Sequence, residues 1–244
     1  QFALIGNPQD IKVPDTIQGI IAARLDRLED NLKRTMQVAS VIGRDFAFKI
    51  LQSITGVRAE LKSHLLNLQG LEFIYEKNLF PELEYIFKHA LTQEVAYNSL
   101  LQKRRKEIHE KIGSAIEEIY PERMEEFYEM LAYHYCRSDN TDKSIKYSNL
   151  AAKKAFKTGS YSEAIAYAKI GLESLEKLKQ TEKMKREIVQ ARTTLGFYFL
   201  EIELFHEIKD VVAPALVLAT ELDMKKNVRK YLIKTFCQRA IVSF

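Results

Sequence analysis

A mainly helical fold with one small β-hairpin is what this sequence predicts. Three observations carry the prediction. Only 9 Gly and 5 Pro interrupt 244 residues that are 46% hydrophobic and 29% charged, an ordinary globular composition that favours helix. Apolar residues recur at three- and four-residue spacing through most of the chain. The exception is residues 71–87, where two short runs rich in aromatic and β-branched residues flank Asn78 and Pro81.

Gln1 to Pro14 is short and mixed, with Gly6-Asn7-Pro8 marking a turn. Val13-Pro14-Asp15-Thr16 reads as a helix start, an extended residue and Pro followed by capping side chains. Ile17, Ile20, Ile21, Leu25 and Leu28 carry that helix to about Asp30. Asn31 can cap a second helix, apolar at Met36, Val38, Ala39, Val41 and Ile42 and ended by Gly43. Asp45 can cap a third, through Phe46, Phe48, Ile50, Leu51 and Ile54, closed by Gly56. A fourth runs from about Ala59 to Leu68, burying Leu61, Leu65, Leu66 and Leu68, with Gly70 following. Leu71–Glu76 and Leu83–Phe87 then read as the two strands of a hairpin. Helices followed by a hairpin are most economically a winged helix-turn-helix, with the hairpin as the wing.

After Lys88 the helical period returns. Helices are predicted from near His89, from about Lys103 to Ile119, and after Tyr120-Pro121 at about Met124–Cys136, Asp142–Lys157, Tyr161–Leu178, Glu182–Leu200, Phe205–Leu222 and Lys225–Val242. Successive antiparallel helices of this length suggest a solenoid. Thr158-Gly159-Ser160-Tyr161-Ser162-Glu163-Ala164-Ile165, followed by Ala168, Gly171 and Leu172, resembles the tetratricopeptide (TPR) repeat. There Gly allows the tight turn, Tyr fills the space between helices, and small residues let one helix approach the other. A degraded second copy, Leu195-Gly196, Phe199, Phe205, Ala215 and Leu216, follows 44 residues on, where the repeat usually takes about 34. Ile208 stands where the repeat usually has Ala, and no Pro closes it. The expected architecture is therefore mainly α: a winged-helix domain with a small β-hairpin, then an all-α TPR-like superhelical solenoid. Residues 1–14 are expected to be a linker from something upstream, 15–120 the winged-helix domain with its connecting helices, and 121–244 the repeats. The chain begins at Gln1 rather than Met and stops at Phe244 inside a helical pattern, as expected of a piece cut from a longer protein.

The formal charge is 37 − 33 = +4. Residues 1–120 carry 16 basic and 16 acidic side chains, leaving 21 and 17 for the remainder, a bias too weak for a dedicated nucleic-acid footprint. Cys136 and Cys237 lie far apart, which argues against a disulfide framework and for a cytoplasmic setting. No run of eighteen apolar residues predicts a membrane span, and no signal peptide is visible.

Catalytic constellations are missing from the pattern. No two glycines lie closer than twelve residues, so no phosphate-cradling loop of the GxxxxGK[ST] kind exists. His109-Glu110 begins like HExxH, but Gly113 stands where the second ligand is required. His64, His89, His109, His134 and His206 show no close metal spacing, and no local signature assembles a serine or cysteine nucleophile. Lys103-Arg104-Arg105-Lys106 is the densest basic run. It reads either as a phosphate-contacting patch, which a DNA-binding winged-helix regulator could use, or as a solvated helix face diluted by Glu107 and Glu110. His89 ends a strand and opens a helix, where free N–H groups and the helix dipole favour anions. Its imidazole is positioned either to meet a phosphate or to pack beneath the wing and cap its neighbours.

Four motifs occur in order: Val13-Pro14-Asp15-Thr16-Ile17 with Ala22-Ala23-Arg24-Leu25-Asp26-Arg27-Leu28; Gly43-Arg44-Asp45-Phe46; Phe87-Lys88-His89-Ala90-Leu91-Thr92-Gln93-Glu94-Val95-Ala96-Tyr97 with Leu100-Leu101; and Arg105 with His109. Together they resemble the winged-helix plus TPR-like segment of bacterial adenylate/guanylate cyclase-type proteins with an AAA/STAND ATPase module, and soluble adenylyl cyclases of animals are similar in organisation. The resemblance spans about residues 13–119 and implies that the ATPase core and the cyclase domain lie outside this chain. It implies a non-catalytic regulatory segment within a parent that is an ATPase linked to a nucleotide cyclase or kinase. ATP or ADP with Mg is expected in that parent, and no cofactor in this segment. The implied partners are the upstream ATPase core in cis and a protein or peptide on the TPR-like surface, with DNA not expected. In related signalling ATPases a winged-helix histidine contacts the bound nucleotide and helps hold the resting state. His89 is the position that matches, and Glu94 and Tyr97 read as structural.

Overall fold

The computed structural model describes residues 15–56, 60–78 and 82–222. The chain divides into two compact units, one ending at Ile119 and the other beginning at Tyr120. The expected turn at residues 6–8, the helix at Lys225–Val242 and Cys237 lie outside the described residues.

The first unit is helical with a three-stranded antiparallel sheet. Its elements are α1 (Asp15–Asp26), α2 (Asp30–Ile42), β1 (Asp45–Ala47), α3 (Phe48–Thr55), α4 (Leu61–Gly70), β2 (Ile74–Asn78), β3 (Glu84–Phe87), α5 (Ala90–Asn98) and α6 (Gln102–Ile119). Sheet order is β1-β3-β2, with Phe46 opposite Tyr85 and Ile74 opposite Phe87. The sequence predicts only β2 and β3. Asp45, expected to cap a helix, instead starts β1 and pairs with Lys77 at 3.0 Å. Phe46 explains the difference. Its ring lies 5.8 Å from Tyr85 and 5.6 Å from Phe87, a buried aromatic cluster that only the extended backbone reaches.

Gly43 does end α2: its N–H donates to the Ala39 carbonyl at 3.2 Å, and its φ is 154°. In α4, Leu61, Leu65 and Leu68 point inward at i, i+4 and i+7. Leu66, expected to be buried, falls off that stripe and is 66% exposed. Helix α1 is shorter than expected. Leu25 is buried, whereas Ile17 and Ile20 are exposed.

The second unit opens with a 3-10 segment, Pro121–Phe127, followed by α7 (Tyr128–Tyr135), α8 (Thr141–Lys157), α9 (Tyr161–Glu176), α10 (Glu182–Glu201) and α11 (Phe205–Glu221). A single helix over 124–136 was the expectation. Arg123, at φ −123° and ψ 24°, and the 3-10 turn at its start shorten it. The Asn140 and Thr181 side chains cap α8 and α10 by accepting from the N–H groups of Lys143 and Met184. The extensive helix contacts run between sequence neighbours, α7 with α8, α8 with α9, α9 with α10 and α10 with α11.

Two of those seams close on glycines. A Cβ at Gly171 would sit 3.0 Å from Asn149 Oδ1, and one at Gly196 only 2.6 Å from Val212 Cγ2. Three helix ends share one turn, in which a left-handed residue's N–H bonds the carbonyl three residues earlier while the next N–H closes on the carbonyl five residues earlier. At α8 the left-handed residue is Gly159 (φ 78°), but at α4 and α10 it is Glu72 (φ 60°) and Glu203 (φ 61°). Among the described residues, no helix is long and apolar enough to cross a membrane.

Candidate functional site

The five histidines are dispersed among different surroundings. His64 shares a 3.3 Å hydrogen bond with Thr35 Oγ1, and His109 one of 3.2 Å between Nε2 and Tyr97 Oη. His134 is fully buried on α7, its ring 5.1 Å from that of Tyr133, and His206 is exposed in the first turn of α11. Among the described residues, no three His, Cys, Asp or Glu side chains gather closely enough to hold a metal ion. The HExxH-like start is thus a buried histidine bonded to a tyrosine.

His89 is the N-cap residue of α5, extended at φ −126° and ψ 134°. Its backbone carbonyl accepts from Thr92 and Gln93, while its side chain makes no cap hydrogen bond. The residue is exposed, which rules out the alternative of packing beneath the hairpin. The strand before it is fixed from both sides: Phe87 N–H donates to the Arg44 carbonyl and Lys88 N–H to the Phe73 carbonyl, each at 3.0 Å. Helix α5 is fixed as well, through Gln93 Nε2 donating to the Ser40 carbonyl at 2.6 Å. The imidazole therefore makes no cap hydrogen bond and stands on a backbone held by the sheet before it and the helix after it.

Charged side chains cluster on the turn and strand that precede His89. Arg24 on α1 donates to the Leu71 carbonyl at 3.0 Å and lies over the Phe73 ring at 4.7 Å. Lys88 donates to Glu72 Oε2 at 2.9 Å and lies over the Tyr75 ring at 5.3 Å. The hydrogen bond and charge of Lys88, with Arg24 and His89 adding to them, hold the Glu72 carboxyl below its ordinary value of 4.5. Tyr75 and Glu72 in turn raise Lys88 above its ordinary value. Exposed apolar residues adjoin these cations: Leu71 and Tyr75 on the same turn and strand, and Ile20 one helical turn before Arg24. An apolar surface bordered by two cations and an imidazole suits an anionic group carried on a larger partner.

Other candidate regions fit a phosphate less well. Within the basic run, Arg104 pairs with Glu107 at 2.7 Å, and Arg105 lies 4.9 Å from the centre of the Tyr97 ring. Lys103 is left as its exposed member. A groove of about 570 Å³ between α3 and α6 has Glu107, Glu110 and Glu118 on its wall against a single Lys111, a field that repels anions. Glu94 is exposed on α5, and Tyr97 joins α5 to α6 through His109.

Arg24 and Glu72 had a sequence signal only in part. Arg24 falls inside one of the four motifs, whereas Glu72 becomes visible once the hairpin register places the residues before Ile74 beside those after Phe87. No protein-family model, curated protein or solved structure matches this chain.

Proposed function

We propose that this chain is a non-catalytic regulatory and protein-interaction segment of a multidomain signalling ATPase of the adenylate/guanylate cyclase type. In this reading the first unit is a winged-helix domain whose wing is β2–β3, and it packs on an upstream ATPase core. The second unit is a TPR-like array that receives a protein or peptide partner. Nucleotide and Mg²⁺ belong to the upstream core, and this chain contributes His89, flanked by Lys88 and Arg24, toward the phosphates. Partner binding on the array biases a closed-to-open equilibrium by favouring one of the two states.

The observation that carries the reading is the exposed face of Ile20, Leu71 and Tyr75 bordered by Arg24, Lys88 and His89. The glycine-closed seams at Gly171 and Gly196 support the repeat assignment, because small residues at those places let paired helices approach. The test is His89→Ala in the full-length protein that carries this segment. Nucleotide retention should fall and basal output rise. Unchanged retention together with unchanged output would remove the sensor role.

A further inference from the structure

The cation cluster beside His89 already holds an anion of the chain's own. The Glu72 carboxylate lies 2.9 Å from Lys88 Nζ, on the turn that carries Leu71 and therefore Arg24. We infer that Glu72 is a built-in competitor, its carboxylate occupying the position that a phosphate bound by Arg24, Lys88 and His89 takes. The inference rests on the phosphate-sensing reading of His89 and adds its regulation.

The argument for competition is one of anchoring and charge. Arg24 is held by a backbone carbonyl and an aromatic face, neither of which involves the Glu72 side chain. The backbone of Lys88 is pinned by Phe73, and its ammonium lies over Tyr75. The cations thus stay in place when Glu72 leaves. Glu72 has no such anchor: its side chain is 68% exposed, and among the described residues its ion-pair partner is Lys88 alone. The Lys88 ammonium meets the carboxylate directly and Arg24 is fixed on the carbonyl of the neighbouring Leu71, so two cations stand against one carboxylate and one positive charge is left uncompensated. A phosphate group near neutral pH carries close to two negative charges and three acceptor oxygens, and so matches the cluster better than a single carboxylate does. Two anions on one ammonium repel each other, so the ion pair with Glu72 sets a threshold that phosphate must exceed.

The 244-residue chain can be titrated with inorganic pyrophosphate while the His89 imidazole is followed by NMR. Glu72→Gln is expected to bind pyrophosphate about two- to fivefold more tightly than the unaltered chain, the range set by an exposed ion pair. Glu72→Gly, which suits the left-handed turn, should repeat the gain. Glu76→Gln removes the same charge from β2, outside the cluster, and should not. Parallel titrations with ADP and with a phosphoserine peptide distinguish a nucleotide source of the phosphate from a protein one. Equal affinity of Glu72→Gln and the unaltered chain, or no binding by either, overturns the competitor role. If Glu72→Gln gains affinity while His89→Ala leaves it unchanged, the competitor stands and the His89 reading falls. If His89→Ala weakens binding and Glu72→Gln changes nothing, the reverse holds.

Discussion

Replacing Gly196 with Ala tests whether the α10–α11 seam is closed by a backbone approach that only glycine permits. The added Cβ would lie 2.6 Å from Val212 Cγ2. Carbon atoms pack at about 3.5–4.0 Å, so the deficit is about 1 Å. Val212 is buried and β-branched within a helix, where a single side-chain rotamer dominates, so the methyl has little room to swing aside. Overpacking of this kind costs about 1–3 kcal/mol, while Ala in place of a helical Gly returns about 1 kcal/mol. A contact short by about 1 Å places the overpacking in the upper half of that range, so the expected net loss is about 1–2 kcal/mol, read as an earlier midpoint in urea denaturation followed by circular dichroism. Val212→Ala removes the opposing methyls, so the double variant should recover part of the loss and give a coupling of about 1 kcal/mol or more. Gly171→Ala is the control. Its nearest neighbour is the end of the exposed Asn149 side chain at 3.0 Å, which can rotate away, so this change should be neutral or stabilising by up to about 1 kcal/mol. A Gly196→Ala protein as stable as the parent, or a Val212 double variant with no coupling, would refute the close-approach reasoning.

Three further outcomes follow from the geometry. Glu203→Gly relieves a left-handed residue at the end of α10 and should stabilise the chain by about 0.5–1 kcal/mol, raising the melting temperature by about 1–4 °C in calorimetry. Tyr97→Phe removes the hydroxyl bonded to the buried His109 and should cost about 1 kcal/mol in the same urea assay. The Glu72 carboxyl titrates below 4.5, so its link to Lys88 is intact above pH 4.5 and is lost as pH falls through the lowered midpoint. In Lys88→Gln, a carboxyl titration followed by NMR should move that midpoint back toward 4.5.

Helix interiors are well written in this sequence because their apolar spacing is local. Ends are written less plainly. Gly43, Gly56 and Gly159 mark real helix ends, but α4 runs to Gly70 and turns at Glu72, and α10 turns at Glu203. A left-handed glutamate carries none of glycine's signal. Strand β1 is three residues long, and its cause, Phe46 meeting Tyr85 and Phe87, lies about 40 residues away along the chain. The place of His89 is legible because the apolar period switches there from strand to helix. The grouping of Arg24, Glu72 and Lys88 is not, since it depends on the hairpin register and on where α1 lies against the turn.

The neighbour-to-neighbour packing of α7 through α11 has a mechanical consequence. The Phe156 ring of α8 also stacks on Tyr198 of α10 at 4.8 Å, a brace that skips α9. A strain in α10 therefore reaches α8 both through α9 and directly through the Phe156 ring, and routes in parallel are stiffer than links in series. The close approach of Gly196 to Val212 passes a displacement at α11 into that braced group.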